Sequence, residues 1–333
     1  MQPLPYTVSR PSNACVRVTT PYKLSPKWEQ WFLLRSDVHF DNKHCRRDLV
    51  KDHHHEAIER NAGIIDGGDF YCLMQGVYDK RQSKSALRPE HGKSDDYFDL
   101  VTDTTTDWHK QTHKGVNLAR NLITIGRGNH ESSVIKRNQV NMTNQLTKAL
   151  RRECESPVQG MGYGYYVQFR FQRNGKSQTI TLKCYHGSGG GGPVTRDVIK
   201  SNRMAVYTHD ADIVMTGHTH DAWTLPIQRE KLTQQGHVYT LPQWYVKCPS
   251  YKDEYGDGTS GWHIERGGPP KPLGAHWLRF FCPKNGGRGA GKPEIAFELI
   301  PAIEYYPPAA DPKSIAQAYE VPVEDVMREM ETA

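Results

Sequence analysis

Five times along this chain a short apolar run stops abruptly and is followed, within a few residues, by Asp, His or Asn. "WFLLRSDVHF" (31–40) ends in Asp37 and His39, and "AGIIDGGDF" (62–70) ends in Asp69. "LITIGRGNHESS" (122–133) leads into Asn129, His130 and Glu131, "QTITLKCYH" (178–186) into His186, and "ADIVMTGHTH" (211–220) into His218 and His220. Short apolar runs bounded by turn residues read as buried strands. In open α/β sheets, ligands collect outside the carboxyl ends of the strands. The recurrence therefore predicts an α/β fold in which five strand ends converge on one polar site.

Each piece alone carries little weight. A histidine after a strand is usually a satisfied core or surface residue, and Gly-Asp is usually a turn. The weight lies in the ordered set: D-x-H, G-D, G-N-H-E, a single His, then G-H-x-H. Histidines and carboxylates together offer imidazole and hard oxygen donors, which suit Mn, Fe, Zn or Ni rather than calcium. Two such ions ~3.5–4 Å apart can clamp an in-line displacement at phosphorus and activate a water. One carboxylate must bridge them, and Asp69 is the natural choice because its strand lies between the others. Asn129 fits a shell that needs an oxygen without another negative charge, which would repel a phosphate. His130, beside Asn129, cannot easily share its ion and is left for general acid work. Glu131 reads as support.

This ordered set resembles the calcineurin-like metallophosphoesterase superfamily over residues 31–222. The resemblance implies an α/β/β/α sandwich of two mixed β-sheets flanked by helices, with a C-terminal extension and a dinuclear site at the strand ends. It implies that Asp37, His39, Asp69 and His220 hold one metal, and that Asp69, Asn129, His186 and His218 hold the other. His130 would face the transition state. "RGNHE" is similar to the form in Ser/Thr protein phosphatases, which makes Arg127 a phosphate clamp. Manganese is the expected ion, with Fe, Zn, Ni or Mg as alternatives. Many relatives read G-D-x-x-D, whereas here Phe70, Tyr71 and Cys72 follow Asp69, so the tight protein-phosphatase signature is broken.

The organisation expected around this core is a surface arm over 1–27, a phosphoesterase domain over 28–305 with its C-terminal elaboration at 226–292, and a helical tail over 306–333. Helices are expected over 46–62 and 134–154, and a hairpin at "RNGK" (173–176), because Asn-Gly is a strong turn signal. The histidines of "KDHHHEAIER" fan around a helix and cannot meet at one ion, so they read as a solvated face. "HGSGGGGP" (186–193) lacks a G-K-[ST] ending and reads as a flexible loop that lets substrate approach the metals.

Partner class rests on charge. The net charge is +6, and residues 226–292 hold ten Lys/Arg against five Asp/Glu, interleaved with aromatic rings. Basic groups plus stacking rings suit single-stranded nucleic acid or a nucleotide. The bland alternative puts the rings of "HVYTLPQWYV" and "AHWLRFFC" in the core, as strands closing the second sheet. The loop between them is expected near the site, with Lys252, His263 and Arg266 meeting substrate phosphates; Lys80, Arg81 and His113 are further candidates. The tail's acidic second helix would repel DNA and fits a protein contact instead. The activity expected is a phosphodiesterase on DNA, RNA or a nucleotide. A phosphomonoesterase and a non-catalytic, metal-stabilised scaffold are the alternatives. Seven scattered cysteines without a C-x-x-C pair, and no apolar run long enough for a membrane, lead to the expectation of a cytoplasmic protein without a membrane partner.

Overall fold

A computed structural model describes residues 3–74, 83, 86–91, 97–255, 262–265, 267–284 and 294–304. The chain order begins β1 (Thr7–Ser12), β2 (Cys15–Pro21), β3 (Glu29–Arg35), α1 (Arg47–Glu59), β4 (Gly63–Asp66) and α2 (Tyr97–Asp103). It continues with β5 (Thr112–His113), β6 (Val116–Asn117), β7 (Leu122–Ile125), α3 (Asn129–Asn138), α4 (Met142–Cys154), β8 (Gln159–Gly160), β9 (Gly164–Arg173) and β10 (Lys176–Tyr185). Last come α5 (Val198–Ala205), β11 (Ile213–Thr216), β12 (Trp223–Leu232), β13 (Val238–Lys247), α6 (Trp262–Glu265), β14 (Gly274–Phe281) and β15 (Ala296–Ile303). The chain divides after Ala302, and the expected helical tail over 306–333 lies outside the described residues.

Two mixed sheets result. One runs β1-β2-β9-β10-β11-β13-β12 and the other β15-β14-β3-β4-β7-β8. Within the second, β3, β4, β7 and β8 are parallel; within the first, β10, β11 and β13 are parallel. Alternation along the strands explains the layering. Phe32, Leu34, Ile65 and Ile123 point between the sheets, where they meet Val167, Phe169, Ile213 and Met215. Leu33, Ile64 and Leu122 point the other way, onto Val50, Ala57, Leu146 and Leu150 of α1 and α4. Val214 and Tyr245 face Met204 of α5 on the opposite outer layer. Helix, sheet, sheet, helix is the α/β/β/α sandwich the resemblance implies. Among the described residues no helix is long and apolar enough to cross a membrane, and all seven cysteines are free thiols.

Several local expectations are corrected. The first residues supply two strands: β2 inserts beside β9 with Val16 and Val18 fully buried, a V-x-V alternation readable in "CVRVTT". The helix expected over 134–154 is two helices, because Gln139 takes a left-handed φ of 57° and Asn141 caps the second by accepting the Asn144 N–H at 3.0 Å. β13 and β14 do not close one sheet but join different ones. The α1 histidines are not a solvated face. His53 bonds the Tyr251 hydroxyl at 2.7 Å, His54 bridges Arg35 and the Leu118 carbonyl at 2.9 and 2.8 Å, and His55 stacks on His113 at 4.0 Å. The Asn174-Gly175 hairpin forms as expected, both residues with positive φ.

These buried imidazoles set an acid limit on stability. Burial pushes His53 and His276 down to about 4 and His109 down to about 3. Between the unfolded value near 6.5 and these folded values, the unfolded chain binds more protons than the native one. Stability is therefore fully present above 6.5 and lost as pH falls toward 4 and below. The melting temperature should drop steadily over that interval, and a flat profile from pH 6.5 to 4 would show these histidines not to be buried and neutral.

Candidate metal centre

The five polar strand ends meet at the carboxyl edges of both sheets. Asp37 and His39 follow β3, Asp69 follows β4, and Asn129 and His130 open α3 after β7; His186 follows β10 and His218 and His220 follow β11. Backbone geometry at these ends is unusual. Asp37, His39, Asp69, His218 and His220 all hold left-handed φ values between 50° and 74°, a conformation costing roughly 1–2 kcal/mol for residues other than glycine. Two glycines let the loops close on each other. A Cβ on Gly68 (φ 112°) would meet the Arg127 carbonyl carbon at 2.5 Å, and one on Gly128 would overlap the Asp69 carboxylate. The glycines of "GGD" and "GNH" thus press the β4 and β7 loops together.

The donors fall into two clusters. In the first, His39 Nε2 and His220 Nε2 lie 3.3 Å apart, with Asp37 Oδ1 4.0 and 3.5 Å from them. In the second, His186 Nε2 lies 3.1 Å from Asp69 Oδ2 and 3.2 Å from Asn129 Oδ1, and His218 completes it. His186 Nε2 is also 3.9 Å from Asp37 Oδ1, so the clusters adjoin. Asp37 Oδ1 is buried and accepts no hydrogen bond. A buried carboxylate oxygen without a donor, ringed by imidazole nitrogens, is what a cation would satisfy. His186 shows the same demand: burial opposes its charge, yet Asp69 and Asp37 push it up to about 9. Burial likewise opposes the charge on Asp37 and Asp69, but the neighbouring histidines hold both carboxyls below the usual range. The donor set fits two divalent ions of the kind bound by imidazole and carboxylate.

Around the clusters, buried polar groups hold the loops. The Glu131 carboxylate accepts the backbone N–H of Gly128, Asp69 and Tyr71 at 2.8, 3.2 and 3.0 Å, the support expected of it; burial and the nearby Asp69 push its pKa up to about 8. Asp41 accepts the N–H of Cys72 and Leu73. Arg35 and Asp66, cross-strand neighbours on β3 and β4, form a fully buried pair at 2.8 Å, and Asp66 also accepts the Gly68 N–H. Sequence reading missed this pair, although an arginine and an aspartate ending adjacent apolar runs were its signal. His130 donates Nδ1–H to the Cys72 carbonyl at 2.5 Å, which turns Nε2 inward to 3.9 Å from Asp69 Oδ2.

The outer candidates divide. Arg127 runs along Gly162, next to Tyr163, whose ring lies 5.4 Å from that of His186. Lys252 and His263 do lie near the centre, His263 with its ring 6.1 Å from that of His220. Both are ion-paired with the buried Glu254, a residue that sequence reading did not single out. His113 binds Glu59 and packs on α1, away from the donor clusters. Lys80, Arg81 and Arg266 lie outside the described residues. Among the described residues of 226–292, several of the rings and cations are already engaged. Tyr245, Trp277 and Phe280 are core, Lys247 is buried against Asp197, Lys271 pairs with Asp221, and Arg279 with Glu29 and Glu298.

No family model and no curated protein matches the chain. Among solved structures, a conserved uncharacterised protein, described as a predicted phosphoesterase, from Streptococcus pneumoniae TIGR4 is similar at 10% identity, covering 82% of this chain and 98% of that one, with a TM-score of 0.31. A metallophosphoesterase from Sphaerobacter thermophilus is similar at 15% identity, covering 90% and 98%, with a TM-score of 0.30. Likeness at this level carries no weight beside the donor geometry.

Proposed function

We propose that the chain is a metal-dependent phosphoester hydrolase, and within that class a phosphodiesterase acting on nucleic acid or a nucleotide. The observation that carries the hydrolase reading is the pair of adjoining His/Asp clusters at the strand ends, with His130 directed at the same space. In this reading Asp37, His39, Asp69 and His220 hold one ion, and Asp69, Asn129, His186 and His218 the other. Manganese is the ion proposed. Two divalent ions there would supply Lewis acidity and an activated water for in-line attack at phosphorus.

The chain's own residues supply the rest. Arg127 binds a non-bridging oxygen of the phosphate, for which its planar guanidinium is suited. His130, fixed through Nδ1, delivers a proton from Nε2 to the leaving oxygen. Glu131 keeps Asp69 and the Gly128 turn in register. The diester preference is supported by the sparse cationic lining among the described residues. The Arg127 guanidinium has no hydrogen-bond partner among the described residues, whereas Lys252 is already neutralised by Glu254. A monoester dianion asks for more positive charge than a diester monoanion does.

With manganese added, hydrolysis of bis-p-nitrophenyl phosphate should exceed that of p-nitrophenyl phosphate by at least ~10-fold in kcat/KM. The reverse preference would move the protein to the phosphomonoesterases, and hydrolysis of neither would favour a scaffold.

A further inference from the structure

A second concentration of positive charge lies outside residues 226–292. β1, β2, β9 and β10 contain Arg10, Arg17, Arg170, Arg173, Lys176 and Lys183 and not one Asp or Glu. Their inward residues, such as Val16, Val18, Val167, Phe169 and Leu182, fill the inter-sheet core. The outward residues are half-buried or exposed, whereas α5 packs over Val214 and Tyr245, further along the same sheet. The outward face is therefore open, polar and cationic.

Its register is regular. On one rung Cys15 faces Tyr166 and Tyr166 faces Lys183; on the next Arg17 faces Gln168 and Gln168 faces Thr181; on the third Thr19 faces Arg170 and Arg170 faces Thr179. Each rung carries one cation, and rungs are two residues, roughly 7 Å, apart along the strands. Lys183 lies 4.1 Å over the Tyr166 ring, and Arg17 donates to Gln168 Oε1 at 3.1 and 3.0 Å, which fixes both cations on the sheet. The Arg170 guanidinium has no side-chain partner among the described residues. Beyond it a shallow cavity of about 260 Å³ is lined by Arg170, Arg173, Asn174, Lys176 and Ser177, with Arg173 already paired to Glu294. Asp212 accepts the Thr181 N–H at the border with β11. At the other end β10 ends at Tyr185, which packs against the α5 cluster with its ring 5.6 Å from that of Tyr163, and the next residue is the metal-centre His186.

We propose that this face is a binding track for single-stranded nucleic acid, with Lys183, Arg17 and Arg170 taking successive phosphates and Tyr163 and Tyr166 lying beside the bases, delivering the strand to the metal centre. A sheet face whose strands carry cations and rings, with Asp212 at Thr181 as the carboxylate at its border, suits a flexible polyanion. A duplex would need a groove-shaped or protruding element that this face does not offer. The inference deepens the phosphodiesterase reading and rests on it for its purpose, though not for its binding.

The test uses the full chain, freed of metal by a chelator so that nothing is cleaved, and fluorescence anisotropy of labelled oligodeoxythymidylate at increasing KCl. The triple variant Arg17→Gln, Arg170→Gln, Lys183→Gln should bind at least ~10-fold more weakly, and its log–log salt slope should fall by about 2. Hydrolysis of bis-p-nitrophenyl phosphate by the metal-loaded variant should be unchanged, because that substrate is too small to reach the track. Should the triple variant melt early, Arg170→Glu alone should weaken binding at least ~3-fold. Unchanged affinity and slope in these variants overturn the track, as does equal or tighter binding of duplex DNA. Absence of diester hydrolysis by the wild type would instead sink the functional reading and leave the anisotropy result to judge the surface.

Discussion

Asp69→Asn should lower kcat/KM for a phosphodiester by at least about 10³-fold, some 4 kcal/mol of transition-state stabilisation. In the proposed assignment Asp69, which the structure places in the second cluster with His186 and His218, is the ligand that both ions would share. Its Oδ2 lies 3.1 Å from His186 Nε2, while Oδ1 accepts the backbone N–H of His130 at 2.9 Å. The asparagine is nearly isosteric, so the loop and its contacts with Glu131 remain. What is lost is the negative charge that the two ions would share. The substitution therefore separates a bridging ligand from a structural residue. A loss smaller than about 10-fold, in a variant that melts like the wild type, would make Asp69 a structural residue and not a shared metal ligand.

His130→Gln should show its effect only where a proton is needed. Against a diester with an alkoxide leaving group, kcat should fall roughly 10²–10⁴-fold. Against bis-p-nitrophenyl phosphate the fall should stay under about 10-fold, because p-nitrophenolate leaves without protonation. Glutamine can still donate to the Cys72 carbonyl, which His130 Nδ1–H reaches at 2.5 Å, so the side chain stays in place and only its acid function goes. Equal losses on both substrates would assign His130 to binding or metal ligation rather than to proton transfer.

The donor set was legible in the sequence because each loop is local. An apolar run announces the strand, and the polar residue that follows it must emerge at the strand's carboxyl end whatever the rest of the chain does. Gly68 and Gly128 were visible as well, though not their reason, which is the close contact between two loops 60 residues apart. What could not be read was long-range. The partition of β13 and β14 between sheets depends on which edge each strand finds, and neither "HVYTLPQWYV" nor "AHWLRFFC" encodes that. His53 and His54 look like surface residues until Tyr251, Arg35 and the Leu118 carbonyl close around them. The charge count over 226–292 does not say which cations are engaged: Lys247, Lys271 and Arg279 pair with acids from elsewhere in the chain, and Lys252 with the nearby Glu254. The left-handed backbone at Asp37, His39, Asp69, His218 and His220 has no sequence signature, because such strain is usually avoided by placing glycine there.

The central claim is that the two clusters together hold two ions. Metal-free protein titrated with manganese and followed by calorimetry, with metal content measured after desalting, tests it directly. Two ions per chain in the wild type, and no more than one in Asp69→Asn, is the predicted result. A single ion, or none, bound by the folded wild type at saturation would contradict it.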